Sequence, residues 1–406
     1  MKFLLIVLGL AILGHSQSLT TAPHPVHPEA ELPFVEYCSY FNYPVETHYI
    51  TTDDGYILTF YRIQKKNTTI RRLGLTPIYL QHGLTDSSDT WIVNDEDKAP
   101  GLILANKGFD VWIGNSRGNK HSRNHTTLNP DKDKEFWMFT FQHMADYDLP
   151  AAFRYISGQT QQKINYIGHS QGTMIMHIAL AKNNPIVEGL LDKYFGFGPV
   201  AFCDHQTSRL MTLLDHSPLL QWYESHKIYE FLPSLDWFET TAGVVFCAAF
   251  EEFCSDLIKN ICDADPTLDN ADRFDVIFGH EPSGTSVLNM AHWKQLVDSG
   301  KWGAFDYGSA AENRAHYGQD KPPAYDPSNI FAYSEKIRVP LRWFAGNEDE
   351  LADKTDVNRF WPLLNPQAQG SLKFYTAGHV TFIWGLDTSP WMNDVLSYFQ
   401  NMETEQ

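Results

Sequence analysis

The chain has 406 residues, 43% hydrophobic and 20% charged, enough apolar material to bury a large core. Its 49 acidic and 31 basic side chains give a formal charge of −18, which excludes binding of nucleic acid or an anionic membrane through a basic face. Seventeen histidines would nearly cancel that charge if all were protonated while the carboxylates stayed ionised, so the net charge is expected to depend on acidification.

The chain opens with Lys2, an apolar run over 3–13, and then Gly14, Ser16 and Ser18. This reads as a cleaved secretory signal peptide, residues 1–18, since the run falls short of the roughly 18 apolar residues that span a bilayer. The later apolar run from Ala242 is broken by Glu251 and Glu252. Residues 19–33 carry Pro23, Pro25 and Pro28 between histidines and are expected to form an extended tail with solvent-facing histidines. Over 46–64, two alternating runs flank Asp53-Asp54-Gly55, a hairpin pattern.

Strands are then predicted at 77–81, 109–113, 164–167, 194–197, 339–344 and 372–375, with helices at 144–157, 172–182 and 391–399. Such alternation implies an α/β fold with a mostly parallel sheet covered by helices on both faces. It stops between 202 and 325, where Trp222, Tyr223, Tyr229, Phe231, Trp237, Phe238, Phe246, Phe250 and Phe253 crowd together. This stretch reads as a mainly helical insertion between the sixth and seventh sheet strands. Most of its rings are expected to fill its own core, and a minority to face a cavity over the carboxyl ends of the strands. The organisation expected is therefore core over 34–201, cap over 202–325 and core again over 326–401.

Secretion makes Asn67-Thr68-Thr69 and Asn124-His125-Thr126 glycan acceptors, at Asn67 and Asn124. It also permits disulfides among Cys38, Cys203, Cys247, Cys254 and Cys262, whose odd number leaves at least one thiol unpaired in a monomer. The cysteines lack paired CxxC spacing and no HExxH accompanies them, so no metal is expected.

Gly168-His169-Ser170-Gln171-Gly172 sits between a β-branched run and an amphipathic stretch, the layout of a nucleophile elbow. Glycines flank Ser170 because the tight turn strains the serine backbone and brings its neighbours close to strand and helix. A serine nucleophile needs a base, and the base needs an acid to hold its tautomer, in the chain order Ser, Asp, His. After the strand at 339–344 comes Ala345-Gly346-Asn347-Glu348-Asp349, which makes Asp349 the acid, with Glu348, Asp353 and Asp356 as rivals. His379 follows the next strand and is the expected base. The oxyanion donors are expected to be the Gln171 amide and, from the loop after 77–81, the Leu84 amide. His82 and His169 are expected to pack their loops rather than carry protons.

Several long strings together resemble the acid lipase family, the gastric and lysosomal acid lipases and their invertebrate relatives. They are DDGYIL at 53–58, QHGL at 81–84, GFDVWIGNSRGN at 108–119, EFWMFTFQHMADYDLPA at 135–151, GHSQGT at 168–173, NMAHWKQLVDSGKWGAFDYGS at 289–309, NRAHYGQDKPPAYD at 313–326, ELADKTDV at 350–357 and HVTFIWG at 379–385. The resemblance runs from about 34 to 399. It implies the α/β-hydrolase fold, Ser170, Asp349 and His379 as triad, Leu84 and Gln171 as oxyanion hole, a cap with a mobile lid, and a Cys247–Cys254 disulfide. It implies no cofactor. Two positions depart from the family pattern: Asn347 stands where a second glycine is usual, and Thr381 where an aspartate is usual.

The expected activity is hydrolysis of water-insoluble acyl esters, triacylglycerols first, through an acyl-enzyme at an oil–water interface, outside the cell or in a lysosome. The nearest alternative is a sterol-ester hydrolase or carboxylesterase with the same triad. An alternative of another class is a catalytically silent lipid-binding or storage protein, which would not react with a fluorophosphonate.

Overall fold

In the computed structural model, the residues described are 26–71, 73–209, 211–212, 219–232, 254–255, 258–259, 261–331 and 339–400. Residues 1–18, expected to be a signal peptide, lie outside them. The strands in chain order are β1 (Val45–Thr51), β2 (Tyr56–Ile63), β3 (Pro77–Gln81), β4 (Asp110–Ile113), β5 (Asn124–His125), β6 (Ile164–His169), β7 (Leu191–Phe197), β8 (Glu230–Phe231), β9 (Thr285–Ser286), β10 (Leu341–Gly346) and β11 (Gln369–Tyr375). Among the described residues one sheet runs β1-β2-β4-β3-β6-β7-β10-β11, with β5 beside β2. The hairpin β1–β2 is antiparallel, as is β2–β4, and every pair from β4 to β11 is parallel.

The parallel strands are apolar on both sides because helices cover both faces. Tyr79, Trp112, Tyr166 and Trp343 fill one layer, and Ile78, Val111, Ile167, Phe195 and Phe344 fill the other. The helix Gln171–Ala181 is buried along its whole length. The strand predicted from 339 begins instead at Leu341, directly after Pro340, which has no N–H to give a ladder. The helix predicted over 144–157 is split. A π-helical turn, Met144–Asp148, leads into Leu149–Thr160, because Pro150 cannot donate to the carbonyl four residues back. Asp148, at the end of that turn, bonds the guanidinium of buried Arg117 at 2.6 and 2.8 Å.

The expectation of an unpacked tail with solvent-facing histidines fails for its described part. Ala30 is fully buried, Glu29 pairs with Arg273 at 2.6 Å, and His27 bonds Asp275 at 3.0 Å. Arg273 is itself buried, and a buried guanidinium needs a carboxylate, which the tail brings.

The strand–helix alternation stops after β7 and resumes at β10. Between them lie the helices Leu219–Ser225, Phe274–His280, Val287–Ser299 and Ala310–Tyr317, and the two-residue strands β8 and β9, too short to show as alternation in sequence. Tyr223 and Phe231 are buried and Trp222 is exposed. Trp237, Phe238, Phe246, Phe250 and Phe253 lie outside the described residues. No described helix is long and apolar enough to cross a membrane.

Candidate active site

The parallel strands β3, β6, β10 and β11 deliver four loops to the same sheet end. Ser170 follows β6 directly, with φ 53° and ψ −119°, a strained conformation for a residue bearing a Cβ. The flanking glycines are required by close approach. A Cβ at Gly172 would lie 2.5 Å from the Gln81 carbonyl oxygen of β3, and one at Gly168 would lie 2.8 Å from the Gly172 backbone. The turn is also pinned by Ser170 N–H donating to the Phe197 carbonyl at 3.0 Å.

His379 and Asp349 come together as expected. His379 Nδ1 lies 2.9 and 3.0 Å from the two Asp349 oxygens, and Asp349 Oδ1 also accepts the Leu351 and Ala352 amides at 2.9 and 2.7 Å. The carboxylate is thus held by the imidazole and two backbone amides. Two of the three rivals are engaged elsewhere: Asp353 caps the helix Lys354–Phe360, and buried Asp356 pairs with His205 at 2.8 Å. Burial alone would lower the His379 pKa, but the charge and hydrogen bond of Asp349 reverse the direction and hold it above the usual value. His379 Nε2, the atom that would take a serine proton, is buried and makes no hydrogen bond among the described residues.

Ser170, His379, Gly83 and Leu84 line a common cavity of about 260 Å³. Gly83 lies over the serine, and a Cβ there would sit 3.1 Å from Ser170 Cβ. The Gln171 side chain is tied off into the insertion, its Oε1 accepting Asn289 Nδ2 at 2.8 Å and Trp293 Nε1 at 2.9 Å. The rest of the wall is largely apolar and comes mostly from the insertion, including Phe231, Phe278, Met290, Trp293 and Val297.

His82 and His169 hold loops, as expected. His82 Nε2 accepts the Ser116 amide at 3.0 Å, and His169 Nε2 bonds the His379 carbonyl at 2.8 Å. Burial lowers both, His82 to about 4. The same cause takes His143 to about 4, and His177 and His292 to about 3. The histidines therefore cannot cancel the acidic charge together, a correction to the reading from their number alone.

The sequence reading missed a carboxyl pair on the cavity wall, Asp86 and Glu281. Asp86 is pushed up to about 6 by burial, and Glu281 is raised by burial and by the charge of Asp86. Asp86 lies in the loop after β3 where the oxyanion donor was expected and could have been flagged there, but Glu281 is far away in sequence with no local motif. Cys254 is disulfide-bonded, whereas Cys38, Cys203 and Cys262 are free. Cys247, its expected partner, lies outside the described residues. Asn67 and Asn124 are both exposed. Asp204, His205 and Asp356 approach closely enough to share an ion, but Arg359 already bridges the two carboxylates at 2.9 and 3.4 Å.

Residues 34–95 match a family described as a partial alpha/beta-hydrolase lipase region, and residues 76–190 match the alpha/beta hydrolase fold. The chain is 37% identical over 395 residues to a gastric triacylglycerol lipase from Rattus norvegicus, covering 95% of this chain and 96% of that protein. It is 39% identical over 404 residues to a lysosomal acid lipase/cholesteryl ester hydrolase from Homo sapiens, covering 96% of each. A soluble variant of monoglyceride lipase from Saccharomyces cerevisiae superposes with a TM-score of 0.51 at 14% identity, covering 95% of this chain and 97% of that one, a likeness of fold.

Proposed function

Because the chain belongs to the α/β-hydrolase lipase family of the gastric and lysosomal acid lipases, we propose that it is a serine lipase cleaving triacylglycerols with Ser170, His379 and Asp349. The observation that carries this reading is the His379–Asp349 pair at 2.9 Å opening on the same apolar cavity as a strained Ser170. His379 takes the Ser170 proton as Oγ attacks the ester carbonyl, and the amides of Gln171 and Leu84 stabilise the oxyanion. His379 then protonates the departing alcohol and activates the water that releases the fatty acid. Asp349 stays ionised throughout and holds the imidazolium.

Residues 202–325 act in this reading as a cap whose apolar cavity wall excludes water and receives the acyl chain, with 34–201 and 326–401 as the core. Part of the cap moves as a lid, so activity on an emulsion should depend on its surface area. The chain enters the secretory route, loses residues 1–18, is glycosylated at Asn67 and Asn124, and carries the Cys247–Cys254 disulfide. The test is a hydrolysis panel of long-chain triacylglycerol emulsion, cholesteryl oleate and a soluble short-chain ester, run from acidic to mildly alkaline pH. The triacylglycerol should be cleaved fastest. Faster cleavage of cholesteryl oleate would make the chain a sterol-ester hydrolase, and of the soluble ester a carboxylesterase.

A further inference from the structure

The triad leaves two buried aspartates of the insertion without a role. Residues 262–270 run as a strip between the acid loop and the histidine loop, with isolated bridges Asp263–Asp349 and Asp269–Gly385. On one edge, Ala264 N–H donates to the Glu348 carbonyl at 2.9 Å and Glu350 N–H to the Cys262 carbonyl at 3.0 Å. On the other, Asn270 N–H donates to the Trp384 carbonyl and Leu386 N–H to the Leu268 carbonyl, both at 2.8 Å.

The Asp263 side chain turns into the histidine loop. Its Oδ1 accepts the backbone N–H of His379 and, at 3.3 Å, that of Val380. The Thr381 hydroxyl lies 3.2 Å from Asp263 and 2.8 Å from Asp269, and its oxygen accepts the Gly378 N–H at 3.0 Å. A Cβ at position 378 would collide with the Asp263 carboxyl, so Gly378 is what admits it.

Asp263 and Asp349 therefore meet beside one imidazole, with Asp269 joined to Asp263 through the Thr381 hydroxyl, none of the three more than 5% exposed. Adjacent buried carboxyls cannot all ionise, and Asp349 needs its charge to hold His379. Burial and the neighbouring Asp349 push Asp263 up to about 7, and burial with Asp263 raises Asp269. A neutral threonine at 381 makes room for these two acids where an aspartate would add a fourth.

Building on the triad reading, we infer that Asp263, backed by Asp269, is a positioning residue for His379, supplying from the insertion the carboxyl that the histidine loop lacks at position 381. It acts through the His379 backbone and touches no substrate. The charged and titratable groups facing it are Asp349, Asp269, His379 and Cys262, while Asp86 acts on His379 from the loop after β3 and the His169 ring packs 4.9 Å from that of His379.

The test compares Asp263→Asn, Thr381→Asp and the double variant, each normalised by fluorophosphonate titration of active sites. Asp263→Asn should lower kcat by on the order of 10-fold with little change in KM, because the amide oxygen is a weaker acceptor for the His379 N–H than a carboxylate and its NH2 group faces the Thr381 hydroxyl. Its kcat/KM inflection assigned to His379 should move to lower pH, because the negative charge that Asp263 gains as pH rises through about 7, and that favours the imidazolium, is gone. Thr381→Asp should lower kcat and move the inflection to higher pH, and the double variant should recover toward the parent. Should Asp263→Asn fail to fold, Asp263→Ser, which also removes the carboxyl while keeping a small polar side chain, gives the same readout. Parental kcat and pH profile in the Asn variant, or purely additive losses in the double variant, would overturn the assignment. Ser170→Ala is run alongside: if it is inactive, such results overturn only the positioning role, whereas an active Ser170→Ala overturns the triad and this assignment with it.

Discussion

The serine and the histidine stand on neighbouring parts of one sheet end, yet they are held by different means. At the Ser170 elbow the constraint is backbone: a strained φ of 53° and two glycines pressed against the Gln81 carbonyl and against each other's turn. At the His379 and Asp349 loops it is a strip from the insertion, whose amides and carboxyls bridge both loops at once. The first arrangement is local and rigid by geometry. The second depends on side-chain protonation and on a segment more than a hundred residues from the histidine. Position of the nucleophile should thus be insensitive to pH, and position of the base sensitive to it.

The largest effect expected comes from the elbow itself. Ser170→Ala should retain the fold and lose turnover by a factor on the order of 10⁶, measured on a triacylglycerol emulsion. On the other side, Asp349→Asn should cost on the order of 10⁴ in kcat by mis-setting the His379 tautomer. Glu348→Gln and Asp353→Asn should cost far less, and a crippling Glu348→Gln would place the acid one residue earlier. Gly172→Ala would sharpen the contrast, since its methyl meets β3 backbone and not a movable side chain. It should destabilise by about 1–3 kcal/mol in urea unfolding.

A smaller effect concerns Asp86, whose folded pKa of about 6 lies above its unfolded value. A carboxyl raised in this way favours the folded state at low pH and loses that contribution as pH rises through the folded value. The parent's Tm should therefore fall, relative to that of Asp86→Asn, which cannot ionise, between about pH 4 and pH 7. Identical slopes would show that the pair does not couple to folding.

The same contrast explains what could be read from the chain. The elbow, the strands at 77–81 and 164–167 and the order of Ser170, Asp349 and His379 were legible because each depends on residues within a few positions: glycines, β-branched runs, a loop after a strand. Spacing left Asp353 and Asp356 as rivals of Asp349, and the fold shows what it could not, one capping a helix and the other paired with His205. The contacts of Asp263, Asp269 and Glu281 were not legible, since their meaning comes from partners across the insertion. The packed tail was missed for the same reason, because nothing near Glu29 announces Arg273.

The central claim is that Ser170 is the nucleophile activated by His379, and covalent labelling tests it most directly. Intact protein treated with a fluorophosphonate, digested and analysed by peptide mass spectrometry should carry one phosphonyl group on Ser170, with emulsion hydrolysis lost as the label is gained, and both labelling and hydrolysis abolished in Ser170→Ala and severely slowed in His379→Ala. A label on another serine, or a Ser170→Ala protein that still hydrolyses triacylglycerol at near-parental rate, would contradict the account.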